Sequence, residues 1–368
     1  MERFYHNINF PTPHIAIKSF DLEVVDQSGN SISLFDTFLH HWSLVRYFQH
    51  STAPDPTPNT SFTQLHEPDF IIATNNGVCQ HHSLPQFYGM GSESRKTSTF
   101  LPHPYGIEVG DAVQVPAGYE ERWSLNVHVI DTRGVEDRMG CTDCWCHLYN
   151  VTKDQFGRPL KGDYKGGKLC CYDQTQCRVR EGYKGEERKL YVRYRVKWVD
   201  WDDDFVVPVE VYIFDVTDTW NPLLNDSTGL SDQQHHCLVA YDVETCSLAN
   251  KLHGKCNATK TSKVIFPGDS GYIIYGVAHQ HIGGIDATLY GEDGRVLCSS
   301  SPIYGRGNEI GNENGYVVGM STCYPKLGNY VKINKGEMVT LVSNYDPSQN
   351  HTAVMGLFQI MVAHKIPN

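Results

Sequence analysis

His279 and His281 stand two residues apart in residues 271–291, GYIIYGVAHQHIGGIDATLYG. Tyr, Ile and Val in a short run closed by Gly-Gly predict a strand. Side chains two apart on a strand share a face, so the two imidazoles form a bidentate site suited to copper or zinc. The motif alone is weak: among 18 His, about one His-x-His is expected by chance. By the same arithmetic about one His-His pair is expected, yet three occur, at His40–His41, His81–His82 and His235–His236. Adjacent strand residues face opposite ways, so His40 and His41 can hold one metal only if a bulge re-aims one of them.

The elements that must carry these residues read as strands throughout. Residues 13–25 alternate apolar and polar, and residues 34–48, LFDTFLHHWSLVRYF, make a second strand bearing His40 and His41. In WSLNVHVID, Trp123, Leu125, Val127 and Val129 point to one face. Ser124, Asn126, His128 and Ile130 point to the other, which puts His128 on a face read as solvated. KLYVRYRVKWVDW (189–201) and VVPVEVYIFDV (206–216) are two strongly alternating strands, joined by an acidic linker at 202–204. The closing stretch HTAVMGLFQIMVA is a further strand, with Met355 near its start. PGDSG (267–271) resembles a serine-protease nucleophile string. No matching His setting accompanies it, so it reads as a turn. No helical period stands out. The expected fold is all-β: two tandem antiparallel β-sandwich, jelly-roll-like domains spanning 1–205 and 206–368, with a Cys-rich insertion at 141–185.

Composition narrows the function classes. A net charge of −11 opposes nucleic acid or an anionic membrane surface as partner. No apolar run approaches the roughly 18 residues of a membrane span. Twelve Cys and sequons at Asn59, Asn150, Asn225, Asn257 and Asn350 point to a secreted glycoprotein, whose leader would have preceded this chain. Cys141, Cys144, Cys146, Cys170, Cys171 and Cys177 lie amid Gly, Lys and Asp, which favours a disulfide-stapled excursion over a zinc site.

Four motifs in order resemble a family. HHWSLVRY, then LPHPYGIEVG before LNVHV, then HQHIGG, then MGLFQIM are similar to the motifs of the copper type II, ascorbate-dependent monooxygenases, such as peptidylglycine α-hydroxylating monooxygenase and dopamine β-monooxygenase. Within that group the chain looks most like the plant stress-upregulated nodulin proteins. The resemblance covers most of the chain, apart from 49–80 and 141–185, which look like insertions.

The resemblance implies two separate coppers, one on His40, His41 and His128 and one on His279, His281 and Met355. It also implies ascorbate as electron donor and O₂-dependent hydroxylation of a C–H bond at the Met-bearing site. A soft thioether suits Cu(I), and three imidazoles suit a cycling site. Where the peptidylglycine enzymes place an Arg, an Asn and a Tyr around the peptide carboxylate, this chain has Val277, Leu357 and Gln359. Without a charge-assisted donor there, the expected substrate is a neutral or apolar small molecule rather than a peptide carboxylate. Asn126 also replaces a Gln of the pattern, a change of one methylene. The alternatives are a secreted copper-binding stress protein without turnover and a metal-free β-sandwich binding module.

Overall fold

The structure, a computed structural model, describes residues 2–80, 83–135, 180–220, 235–244, 258–324, 329–348 and 351–366, besides Arg138, Thr142 and Cys246. The cysteine-rich stretch lies almost wholly outside these residues, as do Asn150, Asn225, Asn257 and Asn350; Asn59 is exposed. Among the described residues the architecture is all-β, with only short 3₁₀ turns besides. No described helix is long and apolar enough to cross a membrane.

The first half contributes β1 (Glu2–Tyr5), β2 (Ile15–Val25), β3 (Thr37–His50), β4 (Phe70–Ala73), β5 (Tyr88–Met90), β6 (Tyr105–Val109), β7 (Tyr119–Asp131), β8 (Tyr191–Asp200) and β9 (Val207–Pro208). They form two sheets, β1-β7-β3-β4 with β5 beside β3, and β8-β2-β6-β9. Their inner faces pack as a sandwich, since alternation gives each sheet an apolar side. β8 shows this plainly: Val192, Tyr194 and Val196 pack against the core while Arg193, Arg195 and Lys197 are exposed. β9 pairs with β6, so this sheet takes in residues just beyond the 205/206 division read from the sequence.

The second half contributes β10 (Glu210–Asp215), β11 (Ala240–Val243), β12 (Thr259–Ile265), β13 (Gly271–Gln280), β14 (Gly284–Tyr290), β15 (Val296–Ser300), β16 (Pro302–Tyr304), β17 (Val317–Met320), β18 (Thr322–Cys323), β19 (Val331–Ile333), β20 (Met338–Tyr345) and β21 (His351–Ala363). One sheet runs β10-β21-β13-β18, with β11 on β21 and β19 on β13, and packs over β12-β20-β14-β15. β16 and β17 form a separate ribbon.

The halves share one hydrophobic core. Its seam is tightly fastened. Asn76 N–H donates to Val211 O (2.7 Å), Lys96 N–H to Val318 O (2.9 Å) and Tyr275 Oη to Ser98 O (2.9 Å). Glu313, fully buried, accepts from Arg95 (2.7 Å) and from Leu34 N–H (3.0 Å). The Cys79–Cys237 disulfide joins the halves covalently, and a second, Cys298–Cys323, links β15 to β18.

Candidate metal centre

The pairing of β3 with β7 skips a residue between Leu39 and His41. This bulge leaves His40 as the extra residue and answers the alternation problem, because a bulged position re-aims its side chain. His40 and His41 consequently both reach His128 on β7, with ring centroids 4.9 Å and 5.0 Å away. One nitrogen from each of the three lies within 4.8 Å of the others. His128 is buried, and so are Ser124, Asn126 and Ile130 beside it. The solvated face is therefore absent: β7 lies between β1 and β3, and residues 123–128 are buried on both of its faces.

β13 delivers His279 near its end and His281 just beyond it, with ring centroids 5.2 Å apart. The imidazole of His279 hydrogen-bonds through Nδ1 to Glu93, which sits in the 3₁₀ turn Ser92–Arg95 and is 2% exposed. A carboxylate there holds the proton on Nδ1 and leaves Nε2 as a lone-pair donor. Gly91 makes this approach feasible, since a Cβ at that position would lie 2.4 Å from His40 O. Its own N–H donates to Glu93 Oε1 (3.0 Å).

Met355, on β21, is tied to His281 through one phenol. His281 N–H donates to Tyr345 Oη (2.8 Å), and that hydroxyl donates to Met355 O (2.6 Å). Gly283, the first Gly of the Gly-Gly pair, has φ +91°, and a Cβ there would strike the His351 ring at 2.2 Å. The turn after His281 therefore requires glycine.

The two histidine sets are not apart. His40 and His281 meet edge to face with centroids 4.7 Å apart. His41, His128, His40, His281 and His279 thus form one unbroken array of imidazoles across the seam. Burial pushes the pKa values of His40 and His281 well below the usual histidine range, and the neighbouring rings push the same way. His40 Nε2, His279 Nε2 and both ring nitrogens of His281 are buried without a hydrogen-bond partner. A buried nitrogen without a partner costs about 1–3 kcal/mol, and a bound metal ion would offset that cost. Imidazole nitrogens with one thioether fit copper in either oxidation state.

A cavity of 720 Å³ opens onto this array. His41, His279 and Met355 share its wall with Phe4, Trp42, Phe62, Phe70 and Leu357. Among the described residues no Lys or Arg lines it, whereas Glu2 and Glu67 do. Asn126, also in the wall, donates to Glu2 Oε1 at 3.0 Å. Val277 and Gln359 are buried nearby, and the Gln359 amide is committed to Phe87 O (2.5 Å). Residues 61–74, within the stretch read as an insertion, form much of the outer wall. The sequence reading missed Glu93 and Tyr345. Neither belongs to a motif, and only their distant partners mark them.

The model of the family described as "Stress up-regulated Nod 19" matches residues 1–365. No curated protein matches the chain. Among solved structures, the chain is similar to the mosquito-larvicidal Cry4Aa toxin from Bacillus thuringiensis at 7% identity and a TM-score of 0.22. That match covers 95% of this chain and 59% of the toxin chain, and a likeness so slight carries no argument about fold or function.

Proposed function

The chain belongs to the stress up-regulated Nod 19 family, and from that footing we propose that it is a copper-dependent, ascorbate-driven monooxygenase acting on a neutral or apolar small molecule. The observation that carries this reading is the imidazole array with unpartnered buried nitrogens, beside a cavity that His41, His279 and Met355 line. His40, His41 and His128 would hold one copper, and His279, His281 and Met355 the other. Copper so held, reduced by ascorbate, supplies the activation of O₂ needed to hydroxylate a C–H bond.

The protein's own part is positioning and exclusion. Glu93 holds the His279 ring, and Tyr345 couples the backbones of His281 and Met355, so these two of the three residues of the soft site are kept in register. The aromatic wall of the cavity excludes water and gives an apolar substrate its binding energy. Among the described residues a carboxylate substrate would meet Glu2 and Glu67 and no Lys or Arg, which disfavours peptide carboxylates. The two described disulfides support an oxidising compartment, in keeping with secretion.

The test is metal content after copper loading, measured with oxygen uptake under ascorbate. About two coppers per chain and ascorbate-dependent oxygen consumption are expected. Copper uptake with no oxygen consumption would replace the enzyme by a copper-binding protein. Failure to bind copper would remove both.

A further inference from the structure

The strand KLYVRYRVKWVDW has no place in the metal centre, yet it builds a second site. β8 pairs with β2 so that Arg193 faces Glu23, Arg195 faces Asp21 and Lys197 faces Ser19. Alternation puts all six on one face of the sheet. The Ser92–Arg95 turn and the residues after it wall this face into a recess of 660 Å³. The recess adjoins the metal centre, because Glu93 reaches His279 while its neighbours Ser94 and Arg95 line the recess.

Among the described residues, five cations line it, Arg95, Lys96, Arg193, Arg195 and Lys197, against the two carboxylates of Asp21 and Glu23, in a chain whose net charge is −11. Arg193 is committed to Glu23 (2.6 Å), and Arg95 to Glu313 (2.7 Å). Among the described residues, Arg195 and Lys197 make no ion pair or side-chain hydrogen bond, and the Lys96 ammonium reaches only the Asn312 amide oxygen at 3.4 Å. Asp21, opposite Arg195, instead accepts from Thr99 Oγ1 (3.0 Å).

A second observation points to a ligand. Ser19, 3% exposed and part of the lining, has a buried hydroxyl with no hydrogen-bond partner. An unpaired buried hydroxyl is costly unless something bonds it. Phe100 and Ile310 add apolar surface to the wall. Uncommitted cations, hydroxyls and a short apolar wall match a compact carbon skeleton carrying one negative charge and several hydroxyls.

We propose that this recess binds a small polyhydroxylated organic anion, an enediolate or sugar acid. Resting on the copper reading above, it is also where the reductant docks. The two cavities are electrostatic opposites, so an anion is drawn to the recess and repelled by the acidic, apolar chamber. Once docked, an enediolate monoanion would lose one electron to copper held by the imidazoles and its enolic proton to water. It leaves as the radical anion, and a second encounter supplies the second electron.

Calorimetric titration of the metal-free protein with gluconate, with ascorbate under argon and with glucose tests the anion site. Saturable binding of both anions, and not of glucose, is expected. The double variant Arg195→Gln/Lys197→Gln should weaken it at least about tenfold, since two charge-assisted contacts are lost. Lys263→Gln/Lys332→Gln removes the same charge from exposed positions elsewhere and should leave binding unchanged. No saturable binding, equal binding of glucose or equal loss in both double variants would overturn the site.

Anaerobic mixing of the copper-loaded protein with ascorbate tests docking. Loss of the cupric signal should saturate at the affinity found by calorimetry, and the Arg195→Gln/Lys197→Gln variant should lose that saturation. Reduction indifferent to this variant would strip the recess of the reductant role. Anion binding without any copper uptake would instead retire the copper reading and leave the anion site standing.

Discussion

Met355 is the one sulfur among the six proposed ligands, and its softness is what separates the two sites chemically. We expect Met355→His to keep the fold and most of the copper while losing most ascorbate-dependent oxygen consumption, because a harder donor disfavours Cu(I). X-ray absorption of the reduced parent should contain a copper–sulfur contribution that the variant lacks. A parent without sulfur around copper would end the assignment of Met355. Glu93 is the complementary case, a residue outside the proposed ligand set that holds the ring of one member, His279. Glu93→Gln replaces the acceptor of the His279 Nδ1–H by an amide that can present a donor instead. Copper affinity, measured by chelator competition, should fall about 10–100-fold. An unchanged affinity would make Glu93 a merely structural carboxylate.

Strand pairing decides which side chains can meet. The β3 bulge at His40 converts an adjacent His-His pair, which strict alternation would split, into two rings on one side of β7. β20, β13 and β21 are likewise clasped at a single hydroxyl, the buried Tyr345 phenol between His281 N–H and Met355 O. Tyr345→Phe leaves the packing volume but orphans a buried N–H and a buried carbonyl. A stability loss of about 1–3 kcal/mol in chemical denaturation is expected. The copper–sulfur signal should weaken with it, since Met355 and His281 would no longer be held in register. Loss of stability with an undisturbed copper–sulfur signal would show that Tyr345 supports the fold and not the site.

Across the whole molecule, the seam sets the distance between the two ligand sets. Buried hydrogen bonds, the Arg95–Glu313 pair and the Cys79–Cys237 disulfide hold the halves together, and the 4.7 Å contact of His40 with His281 cannot open without breaking them. Cupric ions bound to rings in contact would be near enough to couple magnetically. We therefore expect the oxidised, copper-loaded protein to give a paramagnetic resonance signal that accounts for markedly less copper than elemental analysis finds. A signal equal to the full copper content would mean that the ions sit as isolated centres.

Strand character was legible along the chain, because alternation and turn residues are local properties that burial on one face imposes directly. The sequence also singled out the six proposed ligand residues, through motifs whose order along the chain can be read without coordinates. Alternation alone leaves a solvated face for His128 open, since a strand's own pattern cannot reveal what covers it; the burial around His128 on both faces of β7 is a tertiary fact. The contact of the two histidine sets, the reach of Glu93 across 186 residues to His279, and the Tyr345 clasp were decided only by tertiary structure. Each depends on how distant loops close and how sheets pack, and neither leaves a period in the chain. The recess shows the division most clearly. Arg193, Arg195 and Lys197 were legible as one face of a strand, but only the pairing with β2 and the turn above it made that face a site.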